Sequence, residues 1–455
     1  MHNCCVTKNL THLRVRAVFA SLLLRKNPAP KSSTYFRAIP YVPPEAWYER
    51  EIQIKIGDGM ANNANVCVNF GNTNTSLIVK SVISFGTPIT DFRFSLNTAF
   101  SIDNIKADTG SEWVTIREWK PQWQYKSREI GVSAETPMRE LTIEYSFHER
   151  LSGWCNVIEE KRIALSSYSA WTIFETSVPI NFIFKMQNME NYFVINARYE
   201  DANKLWIYGE TDHDKGNLIA LKKGHYHVAS TRGFHFYYMN EDEKDYASCY
   251  TSNYDGIMEY FTCVFGNKDI SKMSIVSLGL ETGGGAYFRK ELMVIDKINV
   301  SEDKEKIRQS VIGLLGHELG HNWFSSSDTS TWEDWVGETG AEWAVLLYIL
   351  SLNENEFFKN RISRAKEKYI DTPVIKSPDG NRPVDGVHIR GVMMFYEIYL
   401  RYGIDTISTM LKILSELPNP TTENFLHDLR NKIGSDIPDK IERGLTMKDY
   451  ANLII

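Results

Sequence analysis

Cysteine is scarce and scattered: there are six in 455 residues (Cys4, Cys5, Cys67, Cys155, Cys249 and Cys263), none spaced as C-x-x-C. Such spacing gives neither a disulfide framework nor a thiolate zinc site, and it fits a reducing, cytoplasmic compartment. A basic block is missing too. Against 51 Lys and Arg stand 57 Asp and Glu, a formal charge of −6, so the clustered cations that neutralise nucleic-acid phosphates are absent. Long apolar runs are also lacking. The longest near the N-terminus, Ala17 to Leu24, falls far short of the roughly 20 residues that cross a bilayer, which argues against stable membrane insertion. Arg14 and Arg16 precede that run as in a secretory leader, but Arg25-Lys26 follow it without a small-residue cleavage site. No P-loop string and no G-x-S-x-G elbow occurs, which leaves nucleotide and serine-hydrolase readings unsupported.

With 43% apolar and 12% aromatic residues, the chain can bury a sizeable core. Residues 1–44 read as a poorly ordered leader and linker, rich in Pro and Ser from residue 27 onward. Residues 45–238 carry short alternating runs, such as Glu51 to Ile56, Thr142 to Phe147 and Asn181 to Lys185, separated by Gly, Asn and Asp. A period of two with turn signals between runs predicts a β-rich domain. After Tyr238 the pattern lengthens: a helical stretch from Glu241 to Phe265, strands Ser274 to Leu278 and Glu291 to Ile295, then helices to the end. The expected architecture is α+β in two domains, with the β-rich N-terminal domain followed by a mainly helical one over 239–455.

The chemistry concentrates at His317-Glu318-Leu319-Gly320-His321, inside an apolar-periodic run that begins after the capping triplet Ser301-Glu302-Asp303. Residues four apart on a helix lie about 40° apart around its axis and one turn along it, so both imidazoles can reach one ion. Glu318, offset by one position, can face the open side of that ion as a base. Such a string arises by chance in roughly one chain of this size in a hundred, so a third ligand is required before it means anything. Downstream, Asp334 reads as an N-cap, which puts Glu338 one turn into a second helix and Glu342 one turn further on the same face. Glu338 can complete a His-His-Glu set for Zn²⁺, and Glu342 can accept the second N–H of a ligand imidazole. Trp335 and Trp343 mark this helix as buried.

The stretch from His317 to Trp343 resembles the membrane-alanyl-aminopeptidase-like zinc metallopeptidases of the gluzincin group. It carries His321-Asn322-Trp323-Phe324 and Trp335-Val336-Gly337-Glu338-Thr339-Gly340-Ala341-Glu342-Trp343, where the family has H-x-W-F and W-L-N-E-G-F-A-E-Y. The resemblance is sharp over this stretch and loose over most of the chain. It implies a thermolysin-like catalytic domain with a small mixed sheet, one zinc ion, and hydrolysis of peptide bonds with Glu318 as general base. Three departures matter. The 16 residues between His321 and Glu338 are two fewer than in the family, a shortening that falls in the Ser325 to Thr331 loop. The family's substrate strand, whose acid holds a free amine, corresponds to Gly283-Gly284-Gly285-Ala286-Tyr287-Phe288, which has no acid; Glu281 is a weak substitute. The family's transition-state tyrosine is replaced by His388, in His388-Ile389-Arg390-Gly391.

An imidazole N–H can polarise an oxyanion as a phenol does, so His388 is expected to keep that role. Gly283, Gly284, Gly285 and Tyr287 are expected to hold a peptide or protein substrate as an added strand. Arg390 and Tyr396 are weaker candidates, Tyr396 better suited to the core. Family resemblance favours an aminopeptidase; the missing acid favours an endopeptidase that needs no free N-terminus. The rival from another class is a catalytically inert peptide-binding scaffold, against which the intact Glu318 argues.

Overall fold

The computed structural model describes residues 62–447, except 71–76, 110–114, 119–126, 148–155, 167–168, 175, 211–215, 281–284, 326–327 and the single positions 232, 269, 271, 290, 299, 302, 330 and 379. The leader and linker, the run Glu51 to Ile56, Glu281, Gly283 and Gly284 therefore lie outside the described residues. Alternation of apolar and polar side chains builds the first half. Strands β1 (Asn63–Phe70), β2 (Leu77–Asn97), β3 (Ser101–Ala107), β4 (Thr115–Glu118) and β5 (Ser127–Phe147) come first. They are followed by β6 (Val157–Ile158), β7 (Arg162–Leu165), β8 (Asn181–Gln187), β9 (Tyr192–Val194), β10 (Arg198–Glu200), β11 (Leu205–Glu210) and β12 (Leu218–Lys222). In β1, Ala64, Val66, Val68 and Phe70 are buried while the residues between them face outward; a strand's period of two requires this. Eight strands form one sheet in the order β10-β11-β8-β1-β2-β5-β3, with β4 on β5, and β6-β7-β12-β9 form a second.

Strands β13 (His227–Thr231) and β14 (Phe234–Tyr238) precede the texture change at Tyr238, yet they pair into the sheet of the second half. That sheet adds β15 (Met273–Ser277), β16 (Ala286–Arg289) and β17 (Leu292–Ile295) in the order β13-β14-β15-β17-β16, with parallel and antiparallel neighbours mixed. The expected small mixed sheet is present. One apolar cluster joins Val157, Ala164, Ile219 and Leu221 to Val276, Leu278, Tyr287 and Val294. The four-stranded and five-stranded sheets thus share a core.

Helix α1 (Lys244–Phe265) follows a 3-10 turn at Glu241–Glu243 and stops at Gly266, whose φ of +94° favours glycine. Helix α2 (Lys304–Gly320) starts at Asp303, whose carboxylate accepts from the N–H groups of Glu305 and Lys306 at 3.0 and 3.2 Å, the expected cap. Then come α3 (Trp335–Ser351), α4 (Asn355–Tyr369), α5 (Val384–Tyr402), α6 (Ile404–Ser415), α7 (Thr422–Ile433) and α8 (Asp436–Thr446). No helix among the described residues is long and apolar enough to cross a membrane. Three indole N–H groups anchor the helices around the site: Trp323 to Gly266 O at 2.8 Å, Trp335 to Thr422 Oγ1 at 2.8 Å and Trp343 to Val392 O at 3.0 Å.

Helices α2 and α3 run antiparallel and unusually close, because α2 presents glycine at the crossing. A Cβ on Gly316 would meet Val345 Cγ2 at 2.5 Å, and one on Gly320 would meet Ala341 Cα at 2.9 Å. Glycine costs helix stability; here it lets a short α3 carboxylate reach the α2 imidazoles. Since Ala341 Cα is backbone, Gly320→Ala must push the helices apart. The expected cost is about 1–3 kcal/mol of folding stability, measured by denaturant unfolding. An unchanged midpoint would show that the crossing yields freely.

Candidate metal centre

His317 lies in the last turn of α2, and His321 follows as its C-cap with φ −61° and ψ −12°. Both therefore keep helical spacing, and their rings sit 4.9 Å apart edge to face. From the first turn of α3, Glu338 projects between them. Its Oε2 is 3.2 Å from His317 Nε2 and 3.7 Å from His321 Nε2, and one ligand atom from each of the three residues falls within 4.8 Å of the others. The shortened loop does not keep Glu338 away.

Each imidazole has its other nitrogen occupied. His317 Nδ1 is 3.2 Å from Glu342 Oε2, and His321 Nδ1 is 3.2 Å from the carbonyl of Phe324. These acceptors hold a proton on Nδ1 of each ring and aim Nε2 of both toward Glu338. Glu342 is in turn gripped by Arg361, which donates from Nε at 2.9 Å and from Nη2 at 2.6 and 2.7 Å. Burial pushes the Glu342 carboxyl up, but Arg361 and His317 outweigh it and hold it at about 2. Burial likewise lowers the His317 imidazole, while Glu338 and Glu342 prevail and raise it well above its ordinary value. Glu338 is held well below the usual carboxylate range: burial opposes this, and His388, His321 and His317 outweigh it.

Whether these residues fit a cation can be tested on one atom. Glu338 Oε2 is fully buried and accepts no aligned hydrogen bond, although three imidazole nitrogens lie 3.0 to 3.7 Å away. An orphaned buried carboxylate oxygen is costly. Tetrahedral zinc with arms of about 2.0–2.2 Å sets ligand atoms roughly 3.3–3.6 Å apart. Glu338 Oε2 stands 3.2 and 3.7 Å from the two imidazole nitrogens, close to that edge, and the three ligand atoms lie within 4.8 Å of one another, so the donor set fits zinc.

Glu318 is 8% exposed, and its carboxylate accepts no hydrogen bond among the described residues. It lies close enough to the buried Tyr250 of α1 for its charge to add to the burial that pushes that phenol up. His388, in the second turn of α5, places Nδ1 3.0 Å from Glu338 Oε2. It stands outside the set whose ligand atoms all converge. Asp334 precedes α3 but caps nothing: a 3-10 turn capped by Thr331 runs straight into the helix, so Asp334 is already helical. Its carboxylate is taken by Arg382 Nε at 2.5 Å instead.

Other expectations change. Tyr287 is 3% exposed and faces the core shared by the two sheets, which corrects its assignment to substrate contact: in β16 the alternation turns it inward. Gly285 directs its N–H to Asp296 Oδ1 at 2.8 Å and its carbonyl accepts from Asp296 N at 3.1 Å, so that N–H does not serve a substrate strand. Arg390 is buried and donates to the carbonyls of Thr372 and Met447, a structural tie between α5 and its surroundings. Tyr396 packs on Phe358 and Tyr399. Arg361 and Arg382 carry no spacing signal in the sequence. In the structure Arg361 occupies the space above Gly313, where a Cβ would meet its Nη1 at 2.1 Å.

Fold and site together define a two-domain α+β architecture with a His-His-Glu set between two helices. No protein-family model and no curated protein matches the sequence. Among solved structures, the chain is similar to native leukotriene A4 hydrolase from Saccharomyces cerevisiae, with a TM-score of 0.61 at 11% identity over 84% of this chain and 67% of that one. It is also similar to the yeast leukotriene A4 hydrolase in complex with bestatin, with a TM-score of 0.59 at 10% identity over 82% of this chain and 66% of that one. The likeness establishes the fold, and the chain spans about two thirds of the length of those proteins.

Proposed function

We propose that this protein is a zinc-dependent metallopeptidase. The observation that carries the reading is the buried, hydrogen-bond-free Glu338 Oε2 facing two imidazole nitrogens. His317 Nε2, His321 Nε2 and Glu338 Oε2 would hold the ion, with Glu342 fixing the His317 ring. Zinc in such a site supplies a Lewis acid that eases deprotonation of water and polarises a carbonyl. Glu318 takes a proton from the attacking water and returns it to the departing amine as the C–N bond breaks. His388 donates an N–H to the oxygen that becomes negative. The hydrolase named among the solved structures of this fold supports the reaction class. Metal analysis of the purified protein, joined to cleavage of a peptide mixture before and after chelation, tests the reading. One zinc per chain and chelator-sensitive cleavage are expected. Bound zinc without any turnover would favour the scaffold instead.

The family resemblance favours removal of N-terminal residues, but the described part of the outer strand β16, Ala286–Arg289, offers no acid to a substrate amine. A second reading follows: cleavage that tolerates a blocked N-terminus. Losing a charged hydrogen bond costs about 1.5–3 kcal/mol, or roughly ten- to a hundredfold in rate. A free and an N-acetylated peptide of one sequence should therefore differ by less than that. A collapse on acetylation would show an amine anchor elsewhere and restore the aminopeptidase.

A further inference from the structure

We infer that Arg382 is a positioning residue that sets both walls of the reaction site, the carboxylate ligand Glu338 and the oxyanion donor His388; this rests on the metallopeptidase reading. Its guanidinium stands where the segment entering α5 crosses the start of α3. That crossing is fixed by a bridge between Thr331 and Asn381 and by Trp332 N donating to Gly380 O at 3.4 Å. Nε binds Asp334 Oδ2 at 2.5 Å, and Nη2 reaches Glu338 Oε1 at 3.1 Å. Asp334 and Glu338 are one helical turn apart and both buried, so one planar fork ties two acids on the same face of α3.

Two consequences follow. With Oε1 bound to Arg382, Glu338 offers the ion one oxygen, Oε2, in place of both. The same Nη2 also lies 3.4 Å from His388 Nε2. A guanidinium only donates, so that imidazole nitrogen is the one without hydrogen and Nδ1 carries the N–H. Nδ1 is the nitrogen 3.0 Å from Glu338 Oε2. Arg382 therefore turns the donating nitrogen of His388 toward the metal side, where a substrate oxygen can meet it.

The test compares wild type, Arg382→Met, Arg382→Lys, His388→Gln and the Arg382→Met/His388→Gln double variant. One arm needs no turnover: visible absorption of the cobalt-substituted protein, and zinc affinity measured against a chromophoric chelator. Arg382→Met is expected to alter the cobalt spectrum, because Oε1 is freed to approach the ion, and to weaken zinc binding about 10–100-fold. Arg382→Lys, which keeps the charge without the fork, is expected to recover part of the affinity but not the spectrum. In the kinetic arm at saturating zinc, Arg382→Met should lower kcat with KM held within about twofold, and the double variant should be no slower than the slower single one. Wild-type spectrum and affinity in Arg382→Met, or rate losses that multiply in the double variant, would overturn the assignment. Should Arg382→Met fail to fold because Asp334 is left charged and buried, Asp334→Asn/Arg382→Met removes both charges and reads the same signals. If wild type cleaves no peptide, the metallopeptidase reading fails, while the cobalt and zinc arm still decides the hold on Glu338.

Discussion

Glu318→Gln is expected to slow peptide hydrolysis by about 10²–10⁴-fold while zinc content and the unfolding midpoint stay at wild-type values. The substitution keeps the shape of the side chain and removes its ability to accept a proton. Glu318 is 8% exposed and its carboxylate accepts no hydrogen bond among the described residues, so no structural tie is lost with the charge. Its neighbours on the chain, His317 and Leu319, keep their places. A structural role would lower stability; a ligand role would lower zinc content. Only a proton-transfer role lowers the rate alone, with KM close to the wild-type value. Steady-state kinetics beside metal analysis separate these three outcomes. Full activity against every cleavable peptide in a zinc-loaded Glu318→Gln protein would remove Glu318 from the mechanism.

Much of this was legible in the sequence, and where it was not the reasons are physical. Period-two runs located β5 and β8 because a half-buried strand must alternate. The spacing of His317 and His321 fixed their shared face because helix geometry is local. Glu338 needed more, since its reach depends on how closely α3 approaches α2. Gly316 and Gly320 decide that, and they look like flaws in a helix until Val345 and Ala341 are seen against them. Asp334 has the composition of a cap, but a cap requires an extended backbone, and the 3-10 turn before α3 makes it helical. Its carboxylate then becomes available to Arg382. Arg361 and Arg382 were invisible for the opposite reason. A guanidinium acts at the end of a long side chain, so its partner in space is set by the packing of α4 and the α5 approach rather than by neighbours in sequence. Tyr287 was misread because the resemblance located the strand while the inward side of its pleat depended on the second sheet packed behind it.

Stripping the metal with a chelator is expected to abolish peptide cleavage and lower the unfolding midpoint, both restored by zinc. An ion bound by the folded chain alone stabilises it by mass action, about 4 kcal/mol when free metal exceeds the dissociation constant a thousandfold. The stripped protein does not lose the whole site. With Glu338 and Glu342 beside it, the His317 imidazole is raised well above its ordinary value despite burial, so a proton can stand in part for the cation. The sign follows from that direction. A group raised on folding contributes stability that is complete below its unfolded value, about 6.5, and lost as pH climbs through the folded one. Metal-free protein should therefore weaken as pH rises through this window. Zinc binding, which requires the bare Nε2, strengthens over the same range. The gap in midpoint between loaded and stripped protein should widen from pH 6 toward pH 8, read by thermal unfolding in parallel buffers. A gap that narrows with rising pH, or a midpoint untouched by complete metal removal, would mean that no cation is held between His317, His321 and Glu338.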